Sequence, residues 1–128
     1  MKTIKNVGLF ACIFLYAVFL VSCANAEMKQ VRSLVIQSVD LTRVPDGTYE
    51  GSYAYGSFSY VVSVRVENGR IENIDILANR KTKHALKAED VVTRVLSEQR
   101  TNVDAVAGAT TTSKALLKAI ENALTSTG

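Results

Sequence analysis

Residues 57–77 read SFSYVVSVRVENGRIENIDIL, and this stretch decides the fold. In its first half, apolar side chains alternate with polar ones; the apolar set is Phe58, Tyr60, Val62, Val64 and Val66. Alternation with a period of two predicts a strand with one face in the core. Asn68-Gly69 is a strong two-residue hairpin signal, and Ile71 to Leu77 then predicts a returning strand. The stretch therefore predicts a β-hairpin that is apolar on one face.

The segment before this hairpin predicts a third strand. Pro45-Asp46-Gly47 is typical of a turn, and Tyr49, Tyr53 and Tyr55 then share one face at period two. The three strands together would form an antiparallel meander. Residues 23–44 have scattered apolar side chains that follow neither the helix period nor the strand period, so we interpret them as a tether with mixed strand and turn.

The pattern changes to that of helices from about Ala85. A first helix is predicted by apolar residues spaced three or four apart up to Gln99, and a second from Ser113 to about Leu124. Both have one apolar stripe, which would pack on the apolar face of the meander. We therefore predict an α+β fold, a small antiparallel sheet packed against two helices, as a single domain over residues 45–128.

Residues 1–22 have the layout of a secretory signal peptide. Lys2 and Lys5 precede an apolar run over residues 7–21, and no acidic residue is present. The run is 15 residues long, short of the roughly 20 that a transmembrane helix needs, so a retained anchor is the weaker alternative. The signal predicts an extracytoplasmic protein of the cell envelope.

Two cleavage sites compete at the end of this signal. Leu20-Val21-Ser22-Cys23 resembles a lipobox, in which Cys23 would be lipidated and become the mature N-terminus. Ala24-Asn25-Ala26 instead fits the ordinary signal peptidase, which would release a soluble secreted protein. We favour the lipid-anchored form, because the small residue and the cysteine directly follow the apolar run.

Composition excludes several classes of function. Cys12 and Cys23 both lie in the leader or at its end, so the folded body has no disulfide, cysteine nucleophile or thiolate metal site. His84 is the single histidine, which gives a transition-metal site almost no support. Basic residues do not cluster with aromatic ones, so we expect no nucleic-acid partner.

The segment between the two predicted helices, residues 104–113, reads DAVAGATTTS. Four consecutive hydroxyl residues stand where the second helix would begin, and one of them would suffice to cap it. Capping does not require the preceding Gly108 and Ala109, whereas an anion needs small residues so that backbone amides can approach it. A helix N-terminus adds free donors and partial positive charge. Capping and a phosphate site are both open at this point.

The same segment resembles the Asp-x-x-Ser/Thr-Gly-Ala-Thr-x-Thr-Ser signature of FMN-binding domains, a family that includes a subunit of the sodium-translocating NADH:quinone reductase. Further similar residues are Asp46 to Gly51, Val64 to Ile71, and Gln99. The resemblance covers roughly residues 45 to 125. Ala107 departs from it, since the family usually has Ser or Thr there.

The resemblance implies that FMN is the cofactor and that Thr110 receives it as a phosphoester. The implied cofactor-binding set is Asp104, Gly108, Ala109, Thr110, Thr111, Thr112 and Ser113. A magnesium-dependent flavin transferase would cleave FAD and move its FMN half onto the threonine. Asp104 would either shape the loop or engage the transferase, and the missing hydroxyl at Ala107 would lower the efficiency of modification.

We therefore expect an exported electron carrier without a substrate site of its own. Its partners would be the flavin transferase, a redox protein or quinone-linked complex, and the membrane through the lipid anchor. A module that binds FMN reversibly and a cofactor-free structural lipoprotein are the alternatives. Tyr49, Tyr53 and Tyr55 are candidates for contact with the flavin ring, although core packing is the favoured interpretation. His84, with Lys81 and Lys83, would lie either near the cofactor or in a solvated turn.

Overall fold

The structure, a computed structural model, describes residues 28–126. The predicted signal peptide over residues 1–22 and the lipidation site Cys23 lie outside this range. The elements are three strands, β1 (Gly47–Tyr55), β2 (Phe58–Glu67) and β3 (Arg70–Ala78), followed by three helices, α1 (Lys83–Ala88), α2 (Asp90–Glu98) and α3 (Thr110–Thr125). The strands form one antiparallel sheet in the order β1-β2-β3. The predicted α+β class and the meander are confirmed.

The turn between β2 and β3 is the predicted two-residue hairpin turn. Asn68 and Gly69 both adopt the left-handed conformation, with φ of 53° and 72°. Two consecutive positive φ values match the twist of the flanking strands, which is why Asn-Gly is favoured there. The Asp46 carboxylate accepts a hydrogen bond from the amide of Asn68 at 2.8 Å, so the turn is tied to the start of β1.

The alternation along β2 places four side chains in the core as predicted. Tyr60, Val62, Val64 and Val66 are all buried, with 0–1% of their surface exposed. Phe58, predicted on the same face, is 36% exposed. It is the first residue of the strand and lies beyond the edge of the core, where its ring contacts Tyr55 and Arg80 instead.

Helix α3 covers this face of the sheet and packs on β1 and β2. Its small residues let the helix backbone approach β1 closely at Gly51. A Cβ atom at Gly51 would stand 2.1 Å from the carbonyl oxygen of Ala119 and 2.4 Å from the amide nitrogen of Ala123. The glycine is therefore required by the helix above it, and this contact sets the position of α3 on the sheet.

The first predicted helix is two short helices, α1 and α2, which meet at Glu89. Asn79 explains the break, because its side-chain amide donates to the carbonyl of Ala85 at 3.0 Å. The amide of Glu89 bonds instead to the carbonyl of Leu86, a tighter turn. Helix α2 ends at Gln99, which is left-handed and whose side chain both donates to and accepts from the backbone of Ile71.

The segment before β1 differs from the predicted mixture of strand and turn. Residues 28–32 are helical, Leu41–Arg43 form a 3-10 turn, and the described part of this segment contains no strand. Val31 and Ile36 are buried in the core. Gln37 is held from both sides: its amide donates to the carboxylate of Glu121, and its carbonyl accepts from the hydroxyl of Thr101. The segment is thus docked on the domain.

Within residues 28–126, no helix combines the length and the apolar character needed to cross a membrane.

Candidate functional site

A cavity of about 330 Å³ opens at the N-terminal end of α3. The end of β1, the start of β2, the start of α1 and the helical residues 28–32 supply its other walls. Its lining residues are Met28, Arg32, Tyr55, Phe58, Arg80, His84, Gly108, Ala109, Thr110, Thr111 and Thr112. Five predicted cofactor-binding residues, 108–112, therefore meet at one site.

The loop before α3 is built to expose backbone donors. Gly108 is left-handed, with φ of 79°, and a Cβ atom placed there would meet nothing within 4 Å. The helix begins at Thr110, three residues earlier than predicted, and the first amide with a helical acceptor is that of Ser113, which donates to Ala109. The amides of Thr110, Thr111 and Thr112 precede it, and in the described part of the chain they have no backbone acceptor. Such an end carries partial positive charge and binds anions.

Simple capping does not explain the four hydroxyl residues. The N-cap position is occupied by Ala109, and no side chain forms a capping hydrogen bond. The hydroxyl residues form the first turn of the helix instead, where Ser and Thr have no advantage in helix propensity over Ala. Of the two interpretations of this segment, the anion site is the one that fits the geometry.

The four hydroxyl groups have four different environments. Ser113 is buried and accepts a hydrogen bond from the amide of Val106 at 3.1 Å, which closes the loop and leaves it outside the cavity lining. Thr112 is buried, and its hydroxyl partly offsets the rise in the pKa of Tyr60. Thr111 accepts from Nε of Arg32 at 2.9 Å. Thr110 is half-buried in the cavity wall, and no group among residues 28–126 bonds its hydroxyl. It is the hydroxyl most available to a ligand.

The cavity wall is positively charged. Arg32 and Arg80 contribute guanidinium groups, and the described lining includes no carboxylate. Arg80 lies over the ring of Phe58, 3.9 Å from its centroid, which holds the charge at the cavity wall by a cation–π contact. Together with the free amides of α3, the two arginines make the site complementary to an anionic group such as a phosphate.

Two tyrosine hydroxyl groups lead from the core to the cavity. The hydroxyl of the buried Tyr60 donates to the hydroxyl of Tyr55 at 3.2 Å. The rings of Tyr55 and Tyr60 stack, with centroids 5.8 Å apart. Since the Tyr55 oxygen accepts from Tyr60, its own proton is available to a ligand in the cavity. Burial raises the pKa of Tyr60 to about 12, with a further contribution from the bond to Tyr55.

The raised pKa of Tyr60 predicts a loss of stability in alkali. The folded state keeps the Tyr60 proton that the unfolded chain releases near its ordinary pKa of 10, so stability should fall as pH rises from about 10 to about 12. Tyr60→Phe should lose this dependence, while Tyr53→Phe, which keeps Tyr60, should retain it. Denaturant unfolding from neutral pH to about pH 11 measures the slope; equal slopes in wild type and Tyr60→Phe would contradict the assignment.

Other residues predicted from the sequence lie elsewhere. Asp104 is exposed outside the cavity lining, and its backbone carbonyl accepts from Arg94 at 2.9 Å. Tyr49 and Tyr53 pack against the core, in agreement with the core-packing interpretation favoured from the sequence. Of these three tyrosines, only Tyr55 lines the cavity. His84 also lines it, whereas Lys81 and Lys83 do not. Among residues 28–126, no group of acidic, His or Cys side chains could hold a metal ion.

Sequence reasoning missed four residues of the lining: Met28, Arg32, Phe58 and Arg80. Arg32 contacts Thr111 across 79 positions of the chain. It lies in the segment whose apolar residues follow no period, and no local pattern marks it. Arg80 lies two residues after the end of β3, and this position near the edge of the sheet was the one signal available. Phe58 was assigned to the core by its alternation.

The fold and the cavity define an α+β domain in which a helix N-terminus with free amides lies beside aromatic walls. These features fit FMN: the free amides and arginines suit its phosphate, and Tyr55, Phe58 and Met28 provide apolar surface for its ring system. The FMN-binding domain family matches residues 55–125, more than half of the chain, and the chain belongs to that family. Comparison with curated proteins gives no match. FMN is therefore the cofactor of this domain, which leaves a cofactor-free structural role without support.

Proposed function

We propose that this chain is an exported electron carrier whose FMN is joined to Thr110 by a phosphoester. One observation carries the proposal: Thr110 lines the cavity, and its hydroxyl has no hydrogen-bond partner among residues 28–126. The hydroxyls of Thr111 and Ser113 accept hydrogen bonds from Arg32 and from the amide of Val106, and Thr112 is buried. A phosphoester at Thr110 would carry its negative charge next to the free amides of the helix.

The attachment requires an external catalyst. A threonine hydroxyl is a weak nucleophile unless a base activates it, and no base bonds Thr110 in the described part of the chain. In the proposed step the Thr110 oxygen forms a bond to the phosphorus on the FMN side of FAD. The phosphoanhydride bond of FAD breaks, AMP leaves, and the hydroxyl proton passes to a base of the flavin transferase.

The chain itself would serve as a holder of the flavin and would have no substrate site of its own. Bound FMN supplies the electron transfer, and the protein sets its exposure and its surroundings. The amides of Thr110 to Thr112 would hold the phosphate, while Tyr55 would donate a hydrogen bond into the cavity. A redox protein or a quinone-linked membrane complex would exchange electrons with it. Covalent attachment would prevent loss of the cofactor outside the cytoplasm.

The full chain, produced with and without a flavin transferase, tests this proposal. With the transferase, we expect the mass of the denatured protein to rise by one FMN less one water, and the yellow colour to stay with the chain. A chain that is yellow when folded and colourless after denaturation would instead be a reversible FMN-binding module. A chain that takes up no flavin in either form would contradict both.

Lipid anchoring at Cys23 is proposed on the sequence of the leader, so its test is separate. We expect wild type to sediment with membranes after cell fractionation, and Cys23→Ser to lose its lipid and appear in the soluble fraction. A wild-type protein found soluble, with an N-terminus at Glu27, would show cleavage after Ala26 and contradict the anchor. Neither outcome affects the assignment of Thr110.

A further inference from the structure

Arg32 lies outside residues 55–125, the part of the chain that matches the family. It belongs to the helical residues 28–32, yet its guanidinium reaches the start of α3 and donates through Nε to the hydroxyl of Thr111 at 2.9 Å. It also lines the cavity beside Gly108, Ala109 and Thr110. A segment that precedes the domain therefore places a cation at the proposed phosphate position.

The packing of its neighbours fixes the backbone of Arg32, whose own side chain is exposed. Its neighbour Val31 is 1% exposed, and Ile36 is also buried. A few residues on, Gln37 is held by Glu121 and Thr101. Because both sides of the segment are anchored in the core, the backbone of Arg32 cannot move away from α3 without disrupting these contacts.

The charge of Arg32 has no protein counterion in the described part of the chain. The salt bridges there involve Arg43, Arg100 and Lys118. Thr111 is a neutral acceptor for Nε, and the guanidinium has further N–H donors in a planar fork that matches phosphate oxygens. An unpaired guanidinium on a cavity wall without carboxylates is suited to an anionic ligand.

We propose that Arg32 binds the phosphate of FMN, and that the segment before the family domain thus completes the cofactor site. The inference rests on FMN binding at this cavity and does not require that the FMN be covalent. Arg32 also donates through Nε to the hydroxyl of Thr111. The Thr111 hydroxyl is therefore engaged by the protein, while the hydroxyl of Thr110 stays available.

The first test compares two flavins that differ only in the phosphate. The full chain, made without a transferase, is titrated with FMN and with riboflavin by flavin fluorescence. Arg32→Gln should weaken FMN binding about tenfold or more and leave riboflavin binding unchanged, because one charge-assisted contact is lost. Arg43→Gln, an exposed arginine of the same segment that pairs with Asp40, serves as the matched control and should change neither.

The second test needs no reversible binding. The melting temperature of flavinylated protein is compared with that of the unmodified chain, for wild type and for each variant. Arg32→Gln should reduce the difference in melting temperature between flavinylated and unmodified protein by about 5 °C, because the contact of Arg32 with the phosphate exists only in the flavinylated protein. Thr111→Val removes the Thr111 hydroxyl but keeps the charge of Arg32, so it should reduce the difference less.

Three results would overturn the proposal. Arg32→Gln could weaken the binding of FMN and riboflavin equally, or it could leave the difference in melting temperature between flavinylated and unmodified protein unchanged. Thr111→Val could also reduce that difference as much as Arg32→Gln does. The last would mean that Arg32 acts only by positioning Thr111. A chain that binds FMN reversibly and never covalently would contradict the phosphoester at Thr110, yet the fluorescence test would still decide the role of Arg32.

Discussion

Thr110→Ala, co-produced with a flavin transferase, is expected to carry no covalent flavin, while the wild-type chain is modified. The reason is the environment of the hydroxyl groups at the start of α3: Thr111 and Ser113 accept hydrogen bonds, Thr112 is buried, and Thr110 has no partner among the described residues. Thr110→Ser keeps a hydroxyl at the same position and should retain part of the modification. Intact mass of the denatured proteins measures the fraction modified.

Two further variants make this prediction specific. Thr125→Ala removes a threonine hydroxyl from the other end of the same helix and should be modified like wild type, which controls for damage to α3. Thr111→Ala should still gain the mass of one FMN less one water, because Thr111 is not the acceptor. A Thr110→Ala protein that gains this mass, or a Thr111→Ala protein that loses it, would place the ester on another hydroxyl.

Gly51→Ala is expected to destabilise the whole domain. The added Cβ would stand 2.1 Å from a backbone oxygen and 2.4 Å from a backbone nitrogen of α3, and neither can move aside as a flexible side chain could. Overpacking a core usually costs about 1–3 kcal/mol, and a clash with helix backbone should reach about 3 kcal/mol or more. Since small domains are stable by roughly 5–15 kcal/mol, this is a large fraction of the total.

Denaturant unfolding measures this loss, and Ser52→Ala, an exposed neighbour on the same strand, is the matched control. Helix α3 also carries Thr110 at its first turn, so lifting it from the sheet should lower the yield of flavinylation together with stability. A Gly51→Ala protein with wild-type stability would show that the close approach of α3 to β1 is not required.

The sheet could be predicted from the sequence because its signals are local. Strict alternation over β2 and an Asn-Gly pair specify both the inward face and the turn, and the structure has both as predicted. Phe58 is the exception, because alternation shows which side of a strand a residue faces but not where the core ends. The covering helix α3 was predicted from its apolar stripe.

The break between α1 and α2 could not be predicted from periodicity. Both helices bury the same side, through Ala85 and Ala88 in one and Val91 and Val95 in the other, so the stripe continues across Glu89. The interruption comes from the side-chain amide of Asn79, which donates a hydrogen bond to the carbonyl of Ala85. A contact of this kind comes from a single polar side chain just before the helix and leaves no periodic trace.

The candidate site was predicted in part for the same reason. Gly108, Ala109 and Thr110 are consecutive, so one motif indicates them together. Arg32 and Arg80 reach the cavity from distant parts of the chain, and nothing in their local sequence distinguishes them from solvated arginines. The start of α3 was placed too late because Ser and Thr usually cap helices, whereas here Ala109 occupies that position.

Peptide mapping of the protein taken from its native host tests the central claim most directly. Proteolysis followed by tandem mass spectrometry should yield one flavin-bearing peptide, with fragment ions that locate the FMN phosphoester on Thr110. Flavin on Thr111, Thr112 or Ser113, or a fully unmodified peptide across residues 104–113 in protein from that host, would contradict it.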